Sequence, residues 1–216
     1  MAVVFDFDGV LVDSVAPVTS SINAALREHG LAERDPQELR RLIGPPTYSA
    51  FSELLGASPD SPEVSAIVTT YRSHYAAVYL TSTRVFDGIA AMLEALSARA
   101  PLAVATSKSV AFAQPLLDAL GLARFFAVTA AADPLTISDD KSAIVARALD
   151  GLGVSDAAMV GDRSFDMEAA QAHGLRAVGV SWGIGSVEEL RAAGAQAIAD
   201  TPAQLLALLA GDRGAR

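Results

Sequence analysis

The most informative part of the sequence is Val3-Val4-Phe5-Asp6-Phe7-Asp8-Gly9-Val10-Leu11-Val12-Asp13-Ser14, because it joins a short apolar run to two carboxylates. The apolar run is typical of a buried strand. Side chains alternate along a strand, so Asp6 and Asp8 would share one face if the strand continued through them. Gly9 allows the backbone to turn and to approach a ligand closely. Burying two acids is costly unless a cation or strong hydrogen bonds compensate them, which favours a functional site here over a solvated acidic loop.

The composition is that of a globular chain. Its 216 residues suffice for one well-packed domain or for a core domain with an inserted lobe. The hydrophobic fraction of 51% and the charged fraction of 19% exclude a disordered chain. The net charge of −9 argues against nucleic acid or an anionic membrane as the main partner. The chain has no cysteine, which excludes disulfides and thiolate metal sites.

The sequence shows neither a secretion signal nor a membrane segment. The first strand meets acids at once instead of following a basic and apolar leader. No uninterrupted apolar run approaches the length that spans a bilayer. We therefore expect a cytoplasmic protein without a membrane partner, and both a monomer and a homodimer stay open.

Beyond residue 100, short apolar runs alternate with helical patterns. This alternation predicts a doubly wound α/β fold, in which helices cover both faces of a parallel sheet. Active sites of such sheets lie beyond the carboxyl ends of the strands. The predicted strands are residues 102–106, 125–129, 157–160, 177–180 and 197–199, and the predicted helices are residues 109–120, 141–149 and 164–173.

Residues 15–82 break this alternation. They contain several helical patterns, at residues 16–28, 36–42, 48–55 and 62–79, and no convincing strand. We expect a core domain formed by residues 1–14 and 83–216 and a small helical cap domain formed by residues 15–82. A lobe inserted directly after the acidic strand would lie over the carboxyl end of that strand, a position that suits a lid.

The later strands also end in polar residues. Thr106 and Ser107 follow one strand, and hydroxyls with exposed N–H groups at a helix start suit phosphate oxygens, although a simple helix N-cap is the alternative. Lys141 begins a later helix, and Asp162 and Asp166 follow another strand. Acids, hydroxyls and a lysine that meet at one sheet edge predict a site for magnesium and phosphate.

These motifs resemble those of the haloacid dehalogenase superfamily, in the family's order and over essentially the whole chain. A second aspartate in the first motif is the form that phosphatases and phosphomutases of the family carry, and the helical insertion is similar to the family's small cap. Further motifs resemble the phosphoglycolate phosphatase-like branch, which includes 5′-nucleotidase-like members. The superfamily motifs are Asp6-Phe7-Asp8-Gly9-Val10, Thr106-Ser107, Lys141 and Gly161-Asp162-Arg163-Ser164-Phe165-Asp166. The branch motifs are Ile43-Gly44-Pro45-Pro46, Ala105-Thr106-Ser107-Lys108 and Val160-Gly161-Asp162-Arg163.

The resemblance implies a covalent mechanism. Asp6 would be the nucleophile that forms an aspartyl-phosphate. Asp8 would protonate the leaving group and then take a proton from the water that hydrolyses the intermediate. Thr106 and Lys141 would stabilise the transferring phosphoryl oxygens.

The cofactor that the resemblance implies is Mg²⁺. Its protein ligands would be the carboxylates of Asp6 and Asp162 and the backbone carbonyl of Asp8. Asp166 would orient a metal-bound water or bind the ion directly. The reacting partner would be a small phosphorylated substrate.

Residues of the cap and of the second motif are predicted to bind the substrate. Ser107 and Lys108 follow Thr106, and we expect both residues to contact the substrate at its phosphate. Arg72 would face inward from a cap helix, with an exposed helix arginine as the alternative. Gly44 and Pro45 would belong to a specificity loop, with an ordinary helix connection as the alternative.

A few neighbouring residues have simpler interpretations. Asp13 and Ser14 are predicted to cap the first cap helix or to shape the hinge, and Arg163 is interpreted as a surface neighbour of the fourth motif. Asp139 and Asp140 stand where the branch often has a basic residue, and they would weaken the attraction for phosphate unless they face solvent.

Three functions compete at this point. The first is a Mg²⁺-dependent phosphatase for a small metabolite, such as phosphoglycolate or a nucleotide monophosphate. The second is a β-phosphoglucomutase-like phosphomutase, which is disfavoured because such enzymes typically carry a histidine just after the first motif and residues 15–25 contain none. The third is a non-catalytic binding protein of the same fold, which the costly buried acids oppose.

Overall fold

A computed structural model describes residues 1–133 and 140–211 of the chain. The strands are β1 (Ala2–Phe5), β2 (Val12–Asp13), β3 (Arg84–Val85), β4 (Leu102–Ser109), β5 (Val128–Ala132), β6 (Ala157–Gly161), β7 (Arg176–Val180) and β8 (Ala197–Ala199). The α-helices are α1 (Val15–Glu28), α2 (Pro36–Leu39), α3 (Thr47–Leu55), α4 (Pro62–Ser82), α5 (Ile89–Ser97), α6 (Val110–Ala119), α7 (Lys141–Leu152), α8 (Ser164–Ala172), α9 (Val187–Ala192) and α10 (Pro202–Ala210). Two 3₁₀ helices cover Arg40–Leu42 and Ala123–Phe125.

The main sheet has six parallel strands in the order β5-β4-β1-β6-β7-β8. The chain leaves β1 toward β4 and β5 and later returns to β6 on the other side of β1. The order therefore reverses beside β1, and ligands of open α/β sheets bind in the crevice that such a reversal creates. The predicted doubly wound α/β fold is confirmed.

The core has one layer on each face of this sheet. Val3 and Phe5 of β1 belong to a cluster that also contains Leu116 of α6. The alternating residues Ala2 and Val4 belong to the opposite cluster, together with side chains of α7 and α8. The period of two along β1 thus supplies apolar side chains to both helical layers.

Residues 15–82, called the helical insert below, contain four α-helices and one 3₁₀ helix. Helix α1 packs mainly against α4. The N–H of Gln37 in α2 donates to the side chain of Asp35, and the N–H of Val64 in α4 donates to the hydroxyl of Ser61, so each helix has a side-chain N-cap. The division of the chain into a core domain and a cap domain stays a prediction.

The connections to the helical insert differ from expectation. Strand β2 pairs with β3 in an antiparallel ribbon, with Val12 opposite Val85, and this ribbon joins the two connections. Asp13 caps α1 as predicted by accepting the N–H of Val15 at 3.0 Å. Ser14 occupies the N-cap position, but its hydroxyl donates to Asp8, so capping by this side chain was wrong and its alternative role in shaping the hinge stays a prediction.

Two further elements depart from the prediction. The predicted strand at residues 125–129 begins later, at Val128. Phe125 is the last residue of a 3₁₀ helix, and its side chain packs into the core. The first bond to the sheet comes from the N–H of Ala127 to the carbonyl of Leu102. Strand β4 continues past Thr106 to Ser109, but its pairing with β5 is interrupted between those two residues.

The helices in residues 1–133 and 140–211 include none that is both long and apolar enough to cross a membrane.

Candidate functional site

Three carboxylates converge at the carboxyl edge of the sheet. Asp6 directly follows β1, and Asp162 directly follows β6, the neighbouring parallel strand. Asp166 lies in the first turn of α8. One oxygen of each carboxylate lies within 4.8 Å of the others, and all three side chains are buried. The spacing and burial match a site for a hard cation with oxygen ligands.

Glycines make room for these carboxylates. Gly9 has a φ of +83°, and a β-carbon on it would lie 2.1 Å from Oδ2 of Asp162. A β-carbon on Gly161 would lie 2.0 Å from the β-carbon of Asp166. Both positions therefore exclude any larger residue while the carboxylates keep their places.

Hydrogen bonds orient two members of the cluster. Asp166 Oδ2 accepts the backbone N–H groups of Asp162 and Arg163, each at 3.1 Å. Asp162 Oδ2 accepts the N–H of Ile184 at 2.7 Å, from a loop that follows β7. Ile184 was not predicted as a site residue, although the glycines that flank it at positions 183 and 185 are a signal that this backbone approaches another group closely.

Lys141 provides the positive charge of this cluster. Its Nζ lies 2.7 Å from Oδ1 of Asp6 and 2.9 Å from Oδ1 of Asp166. Asp140 is exposed and accepts the N–H of Ser142 as the N-cap of α7. The Asp140 side chain thus faces solvent and the helix start, whereas Asp139 lies outside the described residues.

The electrostatics of the cluster favour a further cation. Burial raises the pKa of Asp6 to about 7 against the pull of Lys141, and burial also raises the pKa of Asp162 well above its usual range. Burial disfavours the charged form of Lys141, but Asp166 and Asp6 outweigh this effect and raise the pKa of Lys141. Within the described part of the chain, Oδ1 of Asp162 is buried and accepts no hydrogen bond. One ammonium thus faces three buried carboxylates, and the donor set fits a divalent metal ion.

Asp8 lies outside this cluster and has its own partners. Its Oδ1 accepts the hydroxyl of Ser14 at 2.6 Å, and its Oδ2 lies 3.1 Å from Nζ of Lys108. The same Nζ donates to the hydroxyl of Tyr75 in α4 at 2.7 Å. Burial disfavours the charged form of Lys108, but Asp8 and Tyr75 outweigh it and raise the pKa of Lys108. A charged network therefore links Asp8 to the helical insert.

A cavity of about 60 Å³ separates the helical insert from the sheet edge. Its floor includes Asp6, Asp8, Thr106, Ser107 and Lys108. The residues predicted to bind substrate from the helical insert, namely Gly44, Pro45 and Arg72, line its opposite wall together with the aromatic side chains of Tyr71 and Tyr75.

The side chains of Arg72 and Arg163 lie in different surroundings. Arg72 is half-buried at the cavity, with its guanidinium 5.4 Å from the ring centre of Tyr48. The interpretation of Arg163 as a surface neighbour was wrong, because its side chain is only 11% exposed. Arg163 donates to Oε1 of Glu189 at 3.0 Å and to the carbonyl of Ile43 at 2.6 Å. The sequence gives no local signal for the second contact, since the partner is a main-chain group 120 residues away.

Comparisons with known proteins agree with this geometry. The family model described as haloacid dehalogenase-like hydrolase matches residues 3–180. A 5′-nucleotidase from Pseudomonas aeruginosa is 35% identical over 193 residues, which are 88% of this chain and 86% of the relative. A phosphoglycolate phosphatase from Rhodospirillum rubrum is 34% identical over 216 aligned positions, covering 94% of this chain and 88% of the relative.

A solved structure matches the whole architecture. The crystal structure of a predicted phosphatase from Clostridium acetobutylicum superposes with a TM-score of 0.92 at 30% identity, covering 97% of this chain and 98% of the other. The motifs, the sheet order, the buried carboxylates and these likenesses lead to one assignment. The chain belongs to the haloacid dehalogenase-like hydrolases, in their phosphoglycolate phosphatase-like branch, and is a hydrolase of phosphate esters.

Proposed function

We propose that the protein is a Mg²⁺-dependent phosphatase that hydrolyses a small phosphorylated metabolite through an aspartyl-phosphate on Asp6. The observation that carries this proposal is the different surroundings of two neighbouring acids. Asp6 lies in the carboxylate cluster beside Lys141, whereas Asp8 is directed toward Ser14 and Lys108 at the cavity. These different surroundings support two separate roles, with Asp6 attacking phosphorus and Asp8 transferring protons.

Asp6, Asp162 and Asp166 are the side chains that would hold the metal ion, with the backbone carbonyl of Asp8 as a further ligand. The donor set consists of carboxylates without histidine, which suits Mg²⁺ better than Zn²⁺. When bound, the ion supplies positive charge that offsets the repulsion between a carboxylate nucleophile and a phosphate dianion.

The protein's own residues account for the two displacement steps. A carboxylate oxygen of Asp6 bonds to phosphorus while the ester oxygen leaves, and Asp8 gives that oxygen a proton. Asp8 then takes a proton from a water whose oxygen attacks phosphorus, which breaks the bond to Asp6 and releases phosphate. Lys141 and the hydroxyl of Thr106 lie at the same sheet edge, where they would stabilise the charge on the transferring phosphoryl group.

The cavity supports a small, anionic leaving group. Its volume of about 60 Å³ favours a small leaving group. Lys108 and Arg72 bring positive charge to its walls. A phosphoglycolate-like substrate, whose leaving group carries a carboxylate, meets both conditions.

A nucleotide monophosphate is the second candidate. Tyr71 and Tyr75 stack with their ring centres 5.7 Å apart along the cavity wall, and aromatic faces suit a nucleobase. A relative at 35% identity is a 5′-nucleotidase. A nucleoside is much larger than the cavity, so this substrate requires the helical insert to move away from the sheet.

Phosphate release from a panel of esters tests the proposal. The panel contains 2-phosphoglycolate, several 5′-nucleotides, sugar phosphates and methyl phosphate, each with Mg²⁺ and with a chelator. We expect release that requires the metal and is fastest for small acidic esters. Isomerised sugar phosphate without release would identify a phosphomutase, and no turnover of any ester would favour a non-catalytic protein.

A further inference from the structure

Arg163 connects two parts of the molecule that are distant in sequence. Its Nε donates to Oε1 of Glu189 in α9, and its Nη1 donates to the carbonyl oxygens of Ile43 at 2.6 Å and Arg41 at 3.3 Å in the helical insert. Glu189 Oε1 also accepts the N–H of Ser164, which fixes the carboxylate against the start of α8. The guanidinium is therefore anchored on the core side before it reaches the helical insert.

The carbonyls that Arg163 binds belong to the loop that forms one wall of the cavity. Ile43, Gly44 and Pro45 line the cavity on their inner side. Arg163 lies against the outer side, since a β-carbon on Gly44 would be 3.3 Å from its Cγ. Gly44 has a φ of +110°, so the loop turns sharply where Arg163 touches it. The side chain of Arg163 is not among the described residues that line the cavity, so its direct contact on the substrate side of the molecule is with this loop.

Arg163 connects the loop to the buried carboxylate cluster through its place in the sequence. It directly follows Asp162, whose carboxylate belongs to the buried cluster. A guanidinium can hold a carboxylate and a carbonyl at once through its separate N–H groups, whereas the single ammonium of lysine lacks this fork. Hydrogen bonds from a charged donor are also stronger than those between neutral groups.

We propose that Arg163 is a positioning residue that fastens residues 41–45 to the core and thereby sets which leaving groups the enzyme accepts. The proposal rests on the phosphatase function proposed above. Breaking the contact would reduce the fraction of molecules whose loop is in the binding position, and apparent affinity falls in proportion to that fraction. The loss of apparent affinity would be confined to substrates whose leaving group is large enough to touch the loop.

Kinetics of Arg163→Gln and Arg163→Lys test this proposal, with Arg124→Gln as the matched control. Arg124 also pairs with a glutamate, Glu94, but it is exposed and precedes β5, at the opposite edge of the sheet. For the best ester of the panel, we expect both Arg163 variants to raise KM by about tenfold with a much smaller change in kcat. Methyl phosphate, an ester whose leaving group is a single methoxy group, should change by less than about twofold in kcat/KM.

Hydrogen exchange supplies a readout that is independent of turnover. Peptides covering residues 41–46 should exchange faster in Arg163→Gln than in the wild type, and Arg124→Gln should leave them unchanged. Unchanged exchange, or an equal loss of kcat/KM for both esters, would overturn the proposal. If the wild type hydrolyses no ester, the phosphatase proposal fails, and the exchange measurement alone decides whether Arg163 holds the loop.

Discussion

At the residue scale, Asp6 and Asp8 show how neighbouring acids acquire different chemistry. Asp6 faces two further carboxylates and a buried lysine, so its charge is governed by the cluster and by any cation that the cluster holds. The carboxylate of Asp8 lies outside that cluster and is held between the hydroxyl of Ser14 and the ammonium of Lys108. The alternation of side chains predicts a shared face only if the strand continues through both acids, but β1 ends at Phe5, before either of them, and the two carboxylates separate.

The first prediction concerns these two acids. Asp6→Asn should lower phosphate release by at least about a thousandfold, because an amide cannot form the acyl-phosphate bond. Asp8→Asn should be severely impaired but should accumulate phosphorylated enzyme, since attack on phosphorus precedes the proton transfer to Asp8. Phosphate assays and intact-protein mass measure the two effects. Asp13→Asn is the control on the same segment, and wild-type turnover by Asp6→Asn would refute the covalent route.

The second prediction concerns the link between Tyr75 and Lys108. Tyr75→Phe keeps the ring but leaves a buried ammonium without one partner, which should cost about 1–3 kcal/mol of stability and reduce kcat severalfold. Tyr79→Phe is the matched control, because Tyr79 is buried one turn further along α4 and no hydrogen bond to its hydroxyl is seen in the described residues. Urea unfolding and kcat separate the two variants. Equal losses of stability and of kcat in the two variants would mean that the hydrogen bond between Lys108 and Tyr75 makes no specific contribution.

The third prediction concerns pH and the metal ion. Folding raises the pKa of Asp6 from 3.8 to about 7, so the folded chain favours the protonated form. The stability that this group contributes is therefore complete below about pH 4 and is lost as the pH rises through 7. A cation competes with the proton, so Mg²⁺ should raise Tm more at about pH 8 than at about pH 6. Thermal melts with Mg²⁺ and with chelator measure this, and Asp162→Asn should reduce the difference. An equal rise in Tm at both pH values would contradict it.

At the scale of elements, the sequence predicts where the acids and the lysine meet better than it predicts where some of the strands begin. The positions of Asp6, Asp162 and Lys141 follow from strand ends and helix starts, because parallel strands bring their carboxyl ends to one edge. The start of β5 does not follow, since Phe125 and Phe126 are as apolar in a 3₁₀ turn as in a strand. The contacts Lys108–Tyr75 and Arg163–Ile43 could not be predicted, because each depends on where the helical insert comes to rest.

The fourth prediction tests the close packing between β6 and α8. Gly161→Ala would place a methyl group 2.0 Å from the β-carbon of Asp166, so either β6 or α8 has to shift. We expect a loss of about 2–3 kcal/mol in the free energy of unfolding and loss of the Mg²⁺ effect on Tm. Gly211→Ala is the control, because open space surrounds that position and its expected change is within about 0.5 kcal/mol. A Gly161→Ala variant as stable as the control would show that α8 shifts freely.

At the scale of the whole molecule, the helical insert covers the sheet edge but remains joined to it by two neighbouring connections. Those connections form the antiparallel ribbon of β2 and β3. Ser14 follows this ribbon and bonds to Asp8, so movement of the helical insert about the ribbon would reach the proton-transfer group directly. We propose that residues 15–82 act as a cap domain that opens for substrate and closes for chemistry.

The fifth prediction follows from this division of labour. The phosphoryl group would be held by residues at the sheet edge, whereas the leaving group would face the helical insert through Arg72 and Pro45. Arg72→Ala and Pro45→Ala should therefore change the ratio of kcat/KM between 2-phosphoglycolate and a 5′-nucleotide by about tenfold, while kcat/KM for methyl phosphate changes little. Arg27→Ala, an exposed position elsewhere in the helical insert, is the control. If Arg72→Ala lowers kcat/KM for every ester by the same factor, Arg72 contributes to closure or stability and the assignment of specificity to the helical insert is wrong.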